Sequence, residues 1–177
     1  VITLADLAAN VRSASGKLNY ASVTGANDLL FAGFLKTENL DMAKVPYRDA
    51  VQAINDLAEG RIHCFVAAYA ILRPQVQAGR VKVLTLTNRQ HAVALPDIPT
   101  AAEAGFKSLS FDGLVGLLGP REMPLPIRER IAADIRGIAT DPAIVARLTA
   151  TGQVVSPGTP AEFAAAIADQ RATVAAI

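Results

Sequence analysis

One pattern narrows the possible folds of this chain more than any other. Short β-rich runs alternate with helical runs, and several of the helical runs stop at a glycine. KLNYASV (17–23), MAKVPY (42–47), RIHCFVAA (61–68) and VKVLTLT (81–87) are rich in Val, Ile, Leu, Tyr or Phe, as strands of a buried parallel sheet should be. ANDLLFAGFLKT, DAVQAINDLAEG and ILRPQVQAGR lie between them, and the last two reach Gly60 and Gly79, the residue best suited to a left-handed helix end. A leading helix is expected over TLADLAANVRSASG, where Thr3 and Asp6 have the spacing of a capping box and Gly16 closes the turn. Strand, helix, strand in repetition specifies an α/β chain with a parallel sheet covered by helices.

After residue 88 the pattern changes. NRQHAVALPDIPTAAEAG reads as a loop punctuated by Pro96 and Pro99, followed by a short helix capped by Thr100 and Glu103. FDGLVGLLGP (111–120) reads as a crossover strand, its internal glycines marking a bend or a close approach. Three helices follow, over PLPIRERIAADIRGIAT, DPAIVARLTATG and TPAEFAAAIADQRATVAAI. Ile127, Ile131, Ile135 and Ile138 fall on one face of the first, and few strands remain to receive it. Residues 114–177 are therefore expected to be the helical cover of a lobe whose sheet lies in sequence outside this chain. The start at VITLADLAAN, without Met or an apolar signal core, fits a removed leader or a fragment. An uncovered isoleucine stripe would then favour self-association.

Composition excludes several function classes. The 17 Lys and Arg against 16 Asp and Glu leave a net charge of +1. The basic residues are scattered along the sequence, which argues against nucleic acid as a partner. Half the residues are hydrophobic (51%), yet no run approaches the roughly 20 apolar residues of a spanning helix. Cys64, the single cysteine, excludes an internal disulfide and reads as inert packing in a strand. His63 and His91 lie on separate elements without a carboxylate constellation, so no metal site is expected. There is no nucleophile elbow, phosphate loop or dinucleotide fingerprint. The chain therefore reads as a binding protein without a cofactor and not as an enzyme.

In an open parallel sheet, ligands bind beyond the carboxyl ends of the strands. Three turns are candidates for that position. The first spans Ser22, Val23, Thr24, Gly25, Ala26 and Asn27, and the second Tyr47, Arg48, Asp49 and Ala50. The third is Ala67, Ala68 and Tyr69. Pooled backbone amides there would suit a carboxylate. For each turn the competing reading is local: Ser22, Thr24 or Asp49 simply caps a helix.

Taken in order, KLNYASVTGAN, VPYRDAVQAINDLAEGRI, VQAGRVKVLTLTNRQ, LPDIPTAAEAGF and DGLVGLLGP resemble the substrate-binding receptors of tripartite tricarboxylate transporters, the Bug receptors. LPDIPTAAEAGF is the most specific part. The resemblance implies a periplasmic, two-lobed fold of the type II periplasmic-binding-protein kind that closes on a small organic carboxylate and delivers it to membrane subunits. It implies that residues 1–112 form the second lobe, with one complete parallel sheet. Residues 113–177 would return to the first lobe by a hinge near Gly113. Many members carry a basic residue and two glycines where this chain has Arg48, Asp49 and Ala50. Asp49 is expected to cap, Tyr47 to line the wall, and Arg48 to orient a ligand carboxylate or screen Asp49. A ligand bearing an amine or hydroxyl besides its carboxylate also fits. The alternative on a similar architecture is the effector-binding domain of a LysR-type transcription regulator.

Overall fold

Reciprocal hydrogen bonds start the chain's first element. Asp6 N–H donates to Thr3 Oγ1 (3.1 Å) and Thr3 N–H donates to Asp6 Oδ2 (3.0 Å), which completes the expected capping box and opens helix α1 (Leu4–Ser13). The computed structural model describes residues 3–23 and 25–175. After α1 come β1 (Asn19–Ser22), α2 (Ala26–Thr37), β2 (Ala43–Lys44), α3 (Ala50–Ala58), β3 (Cys64–Val66) and α4 (Tyr69–Gln77). A 3-10 turn covers Lys107–Leu109, and the chain closes with α5 (Leu125–Ala139), α6 (Pro142–Thr149) and α7 (Pro160–Ala175). Gly60 and Gly79 take φ of 75° and 69° beyond α3 and α4, as their positions in the sequence require. None of the helices among the described residues is long and apolar enough to cross a membrane.

The sheet is parallel, in the order β2-β1-β3. The crossover from β1 to β2 and the one from β2 past β1 to β3 run in opposite directions, so as right-handed connections they lie on opposite faces and each face of β1 receives its own core. Tyr20 points into the cluster with Leu7, Val11, Leu30, Phe31 and Phe34, while Ala21 points into the cluster with Ala53 and Ile62. Rings stack through the first cluster: Tyr20 to Phe31 at 4.8 Å, Phe31 to Phe34 at 5.5 Å and Phe34 to Phe106 at 5.6 Å. Each such pair adds about 0.5–1.5 kcal/mol beyond area burial.

Several expectations need correction. The strands are shorter than their apolar runs, and only β1 has a buried centre. Both residues of β2 are exposed and β3 is half-buried, because edge strands have a neighbour on one side only. VKVLTLT (81–87) forms no strand beyond an isolated bridge between Leu86 and Thr100. The segment 111–120 forms no strand either, since no neighbouring strand is there to satisfy its amides and carbonyls. Val115, Leu117 and Leu118 are accordingly 91%, 72% and 83% exposed. No described residue after Phe111 is buried. Ile127, Ile135 and Ile138 remain exposed, so the isoleucine stripe is uncovered.

The short helix expected after Thr100 is a turn, though its capping groups engage as anticipated. Thr100 donates to Glu103 Oε2 from both N–H and Oγ1 at 2.9 Å, and His91 Nε2 lies 2.8 Å from the same oxygen. The Thr100 amide, then His91 and the Thr100 hydroxyl, lower the Glu103 carboxyl from 4.5 to about 2. This turn also holds residue 86 in place, since Leu86 N–H donates to Pro99 O (3.0 Å) and Ala101 N–H to Leu86 O (2.8 Å). A depressed folded pKa stabilises above the unfolded pKa, and that contribution is lost as pH falls through the folded one. Thermal unfolding should therefore find Glu103→Gln less stable than the parent above pH 4.5, with the gap closing toward pH 2. A gap independent of pH would refute this account.

Candidate functional site

With β1 at the centre, the connection after β1 leads through α2 to β2 on one side, while α4, which follows β3, packs with α3. The carboxyl ends of β1 and β3 therefore flank a topological switch point, where the helices that follow diverge and leave a crevice. A groove of about 1930 Å³ opens there. One wall carries Asn27 from α2 together with Ala67, Ala68 and Tyr69 from the entry to α4. The other walls come from residues 81–90 and from the segments 112–121 and 148–167.

Capping separates the three helix N-termini along this rim. Helix α2 begins at Gly25, whose φ of 119° and ψ of −149° suit glycine alone, and no side chain among the described residues caps it. Helix α4 begins at Ala68, also without a side-chain cap. Helix α3 is closed by its own sequence, because Val51 N–H donates to Asp49 Oδ1 at 2.9 Å. Among the described residues the first-turn amides of α2 and α4 thus have no side-chain acceptor, and of the three N-termini these two border the groove, through Asn27 and through Ala68 and Tyr69.

Asn27, Ala67, Ala68 and Tyr69 line the groove together. Ser22 lies behind it, donating its hydroxyl to Asp28 Oδ1 at 2.6 Å. Lys44 Nζ reaches Asp28 Oδ2 at 2.5 Å. These two partners, Lys44 first, hold the Asp28 carboxyl below its ordinary range. Val23 is exposed and its N–H donates to Val66 O at 3.2 Å. Thr24 lies outside the described residues. Gly25 and Ala26 are exposed at the start of α2.

The second turn lies apart from the groove lining. Tyr47 packs on the α3 side of the sheet, and its hydroxyl donates to Asp56 Oδ2 at 2.7 Å, where Arg61 Nε also donates to Oδ1 at 2.8 Å. Burial and the Asp56 carboxylate raise the Tyr47 phenol. Arg48 is exposed, without a partner among the described residues, and Ala50 is the first residue of α3. Cys64 lines the groove near its base, where burial pushes its thiol up to about 12, which leaves it inert as expected.

Charge along the lining was not visible in the sequence. Arg80, Lys82, Arg89, Arg121 and Arg128 line the groove against only Asp112 and Glu162. These cations come from three separate stretches of the chain, at 80–89, 121 and 128, and form no motif, so only the fold gathers them. A groove with an excess of positive charge and two uncapped helix N-termini is built for an anion.

Because Asp49 is occupied by its own helix, Asp49→Ala should cost roughly 1 kcal/mol of stability and leave anion binding unchanged. Urea unfolding and calorimetric titration would check both. A changed ligand preference would bring Asp49 back into the site.

A family model described as "Tripartite tricarboxylate transporter family receptor" matches residues 1–177. A UPF0065 protein of Pseudomonas is 30% identical over 155 residues, which covers 84% of this chain and 45% of that protein. The chain thus spans about half the length of the curated relatives it matches. A solved structure described as a periplasmic transporter superposes with a TM-score of 0.87 at 26% identity, covering 98% of this chain and 59% of the other. A Rhodopseudomonas palustris protein solved with adipate gives 0.77 at 23% identity over 99% and 62%. MatC from the same organism, with bound malate, gives 0.75 at 23% over 97% and 62%. The α/β fold of this chain is that of periplasmic binding proteins over about 60% of their length.

Proposed function

The chain belongs to the tripartite tricarboxylate transporter receptor family, and on that premise we propose that it captures a small organic carboxylate in the periplasm for the membrane subunits of such a transporter. The observation that carries this reading is the groove at the switch point, with uncapped α2 and α4 facing a lining of five basic and two acidic residues. Binding at micromolar level needs about 8 kcal/mol. Hydrogen bonds to a charged group give roughly 1.5–3 kcal/mol each, so four or five amide and side-chain donors suffice without a lysine cluster. Asn27 adds a side-chain amide beside the α2 N-terminus.

The ligand class is a dicarboxylate or hydroxycarboxylate, in keeping with the adipate and malate bound by the two R. palustris neighbours. Capture involves no bond-breaking step and no cofactor. Residues 1–112 act as one lobe and residues 113–177 as part of the other. They meet where Arg89 Nη2 lies 3.7 Å from Asp169 Oδ2 and Gln170 Nε2 donates to Asp112 O, and the hinge lies beside that meeting, at Gly113.

A thermal-shift screen of di- and hydroxycarboxylates, adipate and malate included, should raise the melting temperature. Calorimetry should show affinity falling with added salt, and Asn27→Ala weakening it about tenfold. Absence of any shift across the panel would overturn the proposal. The uncovered face of Ile127, Ile135 and Ile138 pairs with a second copy when nothing else covers it. Sedimentation returning only monomer would remove that part.

A further inference from the structure

Tyr69 and Gly152 are far apart in sequence but touch across the groove. Tyr69 is the first residue of α4, at the uncapped end that borders the site. Gly152 lies in the turn that closes α6, where Gly152 N–H donates to Thr149 O (2.9 Å) and Gln153 N–H to Leu148 O (3.3 Å). Its φ is 80°, a conformation that favours glycine. A Cβ placed on Gly152 would lie 2.9 Å from Tyr69 Cδ1, 3.2 Å from Tyr69 Cβ and 3.4 Å from Cγ. The ring can turn away from such a group, but Tyr69 Cβ is fixed by the backbone of α4. A side chain at 152 therefore requires the α6 turn and the α4 N-terminus to move apart by a few tenths of an ångström.

The other two tyrosines are committed elsewhere: Tyr20 is buried in the core and the Tyr47 hydroxyl donates to Asp56. The Tyr69 phenol has no hydrogen-bond partner among the described residues and faces the groove.

We infer that Tyr69 and Gly152 form a latch across the groove, the contact that sets how closely the turn after α6 approaches the open N-terminus of α4 and so how far the site closes over its ligand. The absence of a side chain at 152 permits the close approach. Tyr69 supplies the surface on which the turn lands, and its hydroxyl stays available to a ligand held at the α4 amides. Gly152 is thus a positioning residue for capture. This role in capture rests on the carboxylate-binding reading above, whereas the contact itself does not.

The test is a cysteine pair, Tyr69→Cys with Gly152→Cys, in a Cys64→Ala background of the full chain. The 3.2 Å between Cβ positions is only a few tenths of an ångström short of the usual range of about 3.5–4.5 Å for a disulfide. Mild oxidation should consume both thiols without ligand. Malate or adipate release, followed by stopped-flow competition, should slow in the oxidised protein and recover on reduction. Two free thiols persisting in a protein with native circular dichroism would overturn the latch.

Gly152→Ala supplies the second arm. It should weaken malate or adipate binding about tenfold when Tyr69 is present and leave it unchanged in a Tyr69→Ala background. A merely strained turn would give the same loss in both backgrounds, which would also overturn the inference. If the parent binds neither acid, the functional reading fails while the cross-link still reports on the contact.

Discussion

The rest of the structure depends on the pairing of β1 with a parallel strand on each side. The crossover from β1 to β2 runs one way and the crossover from β2 past β1 to β3 runs back the other way, so right-handed connections place α2 and α3 on opposite faces. The alternation of Tyr20 into one core and Ala21 into the other follows from this arrangement, because successive side chains of a strand point to opposite faces. The crevice between the ends of β1 and β3 follows from it as well. The position of the site is thus a consequence of strand order, and the residues in it decide only what it holds.

Within that crevice, capping divides the helix N-termini into two kinds. Asp49 accepts the amide of Val51 and uses the positive end of α3 for stability. Helices α2 and α4 begin at Gly25 and Ala68, which have no acceptor to offer. A cap contributes to stability, and an open N-terminus leaves its donors for a ligand. Asp28 shows how a carboxylate beside such a site is kept compatible with an anion. Lys44 and Ser22 hold it from the side away from the groove, and Lys44 offsets its charge.

The chain's two parts differ in how they are held. Up to Phe111 there are two packed cores around the sheet, whereas beyond it the described helices have no buried residue. Their contact with the first part runs through a few specific places: Val174 of α7 against the main core, the Arg89–Asp112–Asp169 group, Gln170 against the Asp112 carbonyl, and Tyr69 against Gly152. Few contacts and little buried apolar area allow relative motion.

Most of the helices could be read from the sequence, as could the parallel sheet and the three turns at its edge. A capping box, a first-turn proline or a closing glycine acts within a few residues of itself. The resemblance carried by LPDIPTAAEAGF and its neighbours pointed to the family. The extent of the strands could not be read this way. VKVLTLT and FDGLVGLLGP have the composition of strands, but a strand needs a partner along its length to take its hydrogen bonds, and among the described residues they find only the bridge of Leu86 to Thr100 and the bond from Phe111 to Thr87. Nor could the sequence separate Asn27 from Ser22 or Tyr69 from Tyr47, since which donor is already engaged depends on what folds against it. The cations at 80, 82, 89, 121 and 128 look scattered along the chain, and only the tertiary structure brings them to one groove. Local hydrogen bonds and periodicity fix the elements because they act over a few residues. Charge, closure and site membership are set by contacts between residues far apart in sequence, and those exist only once the chain has folded.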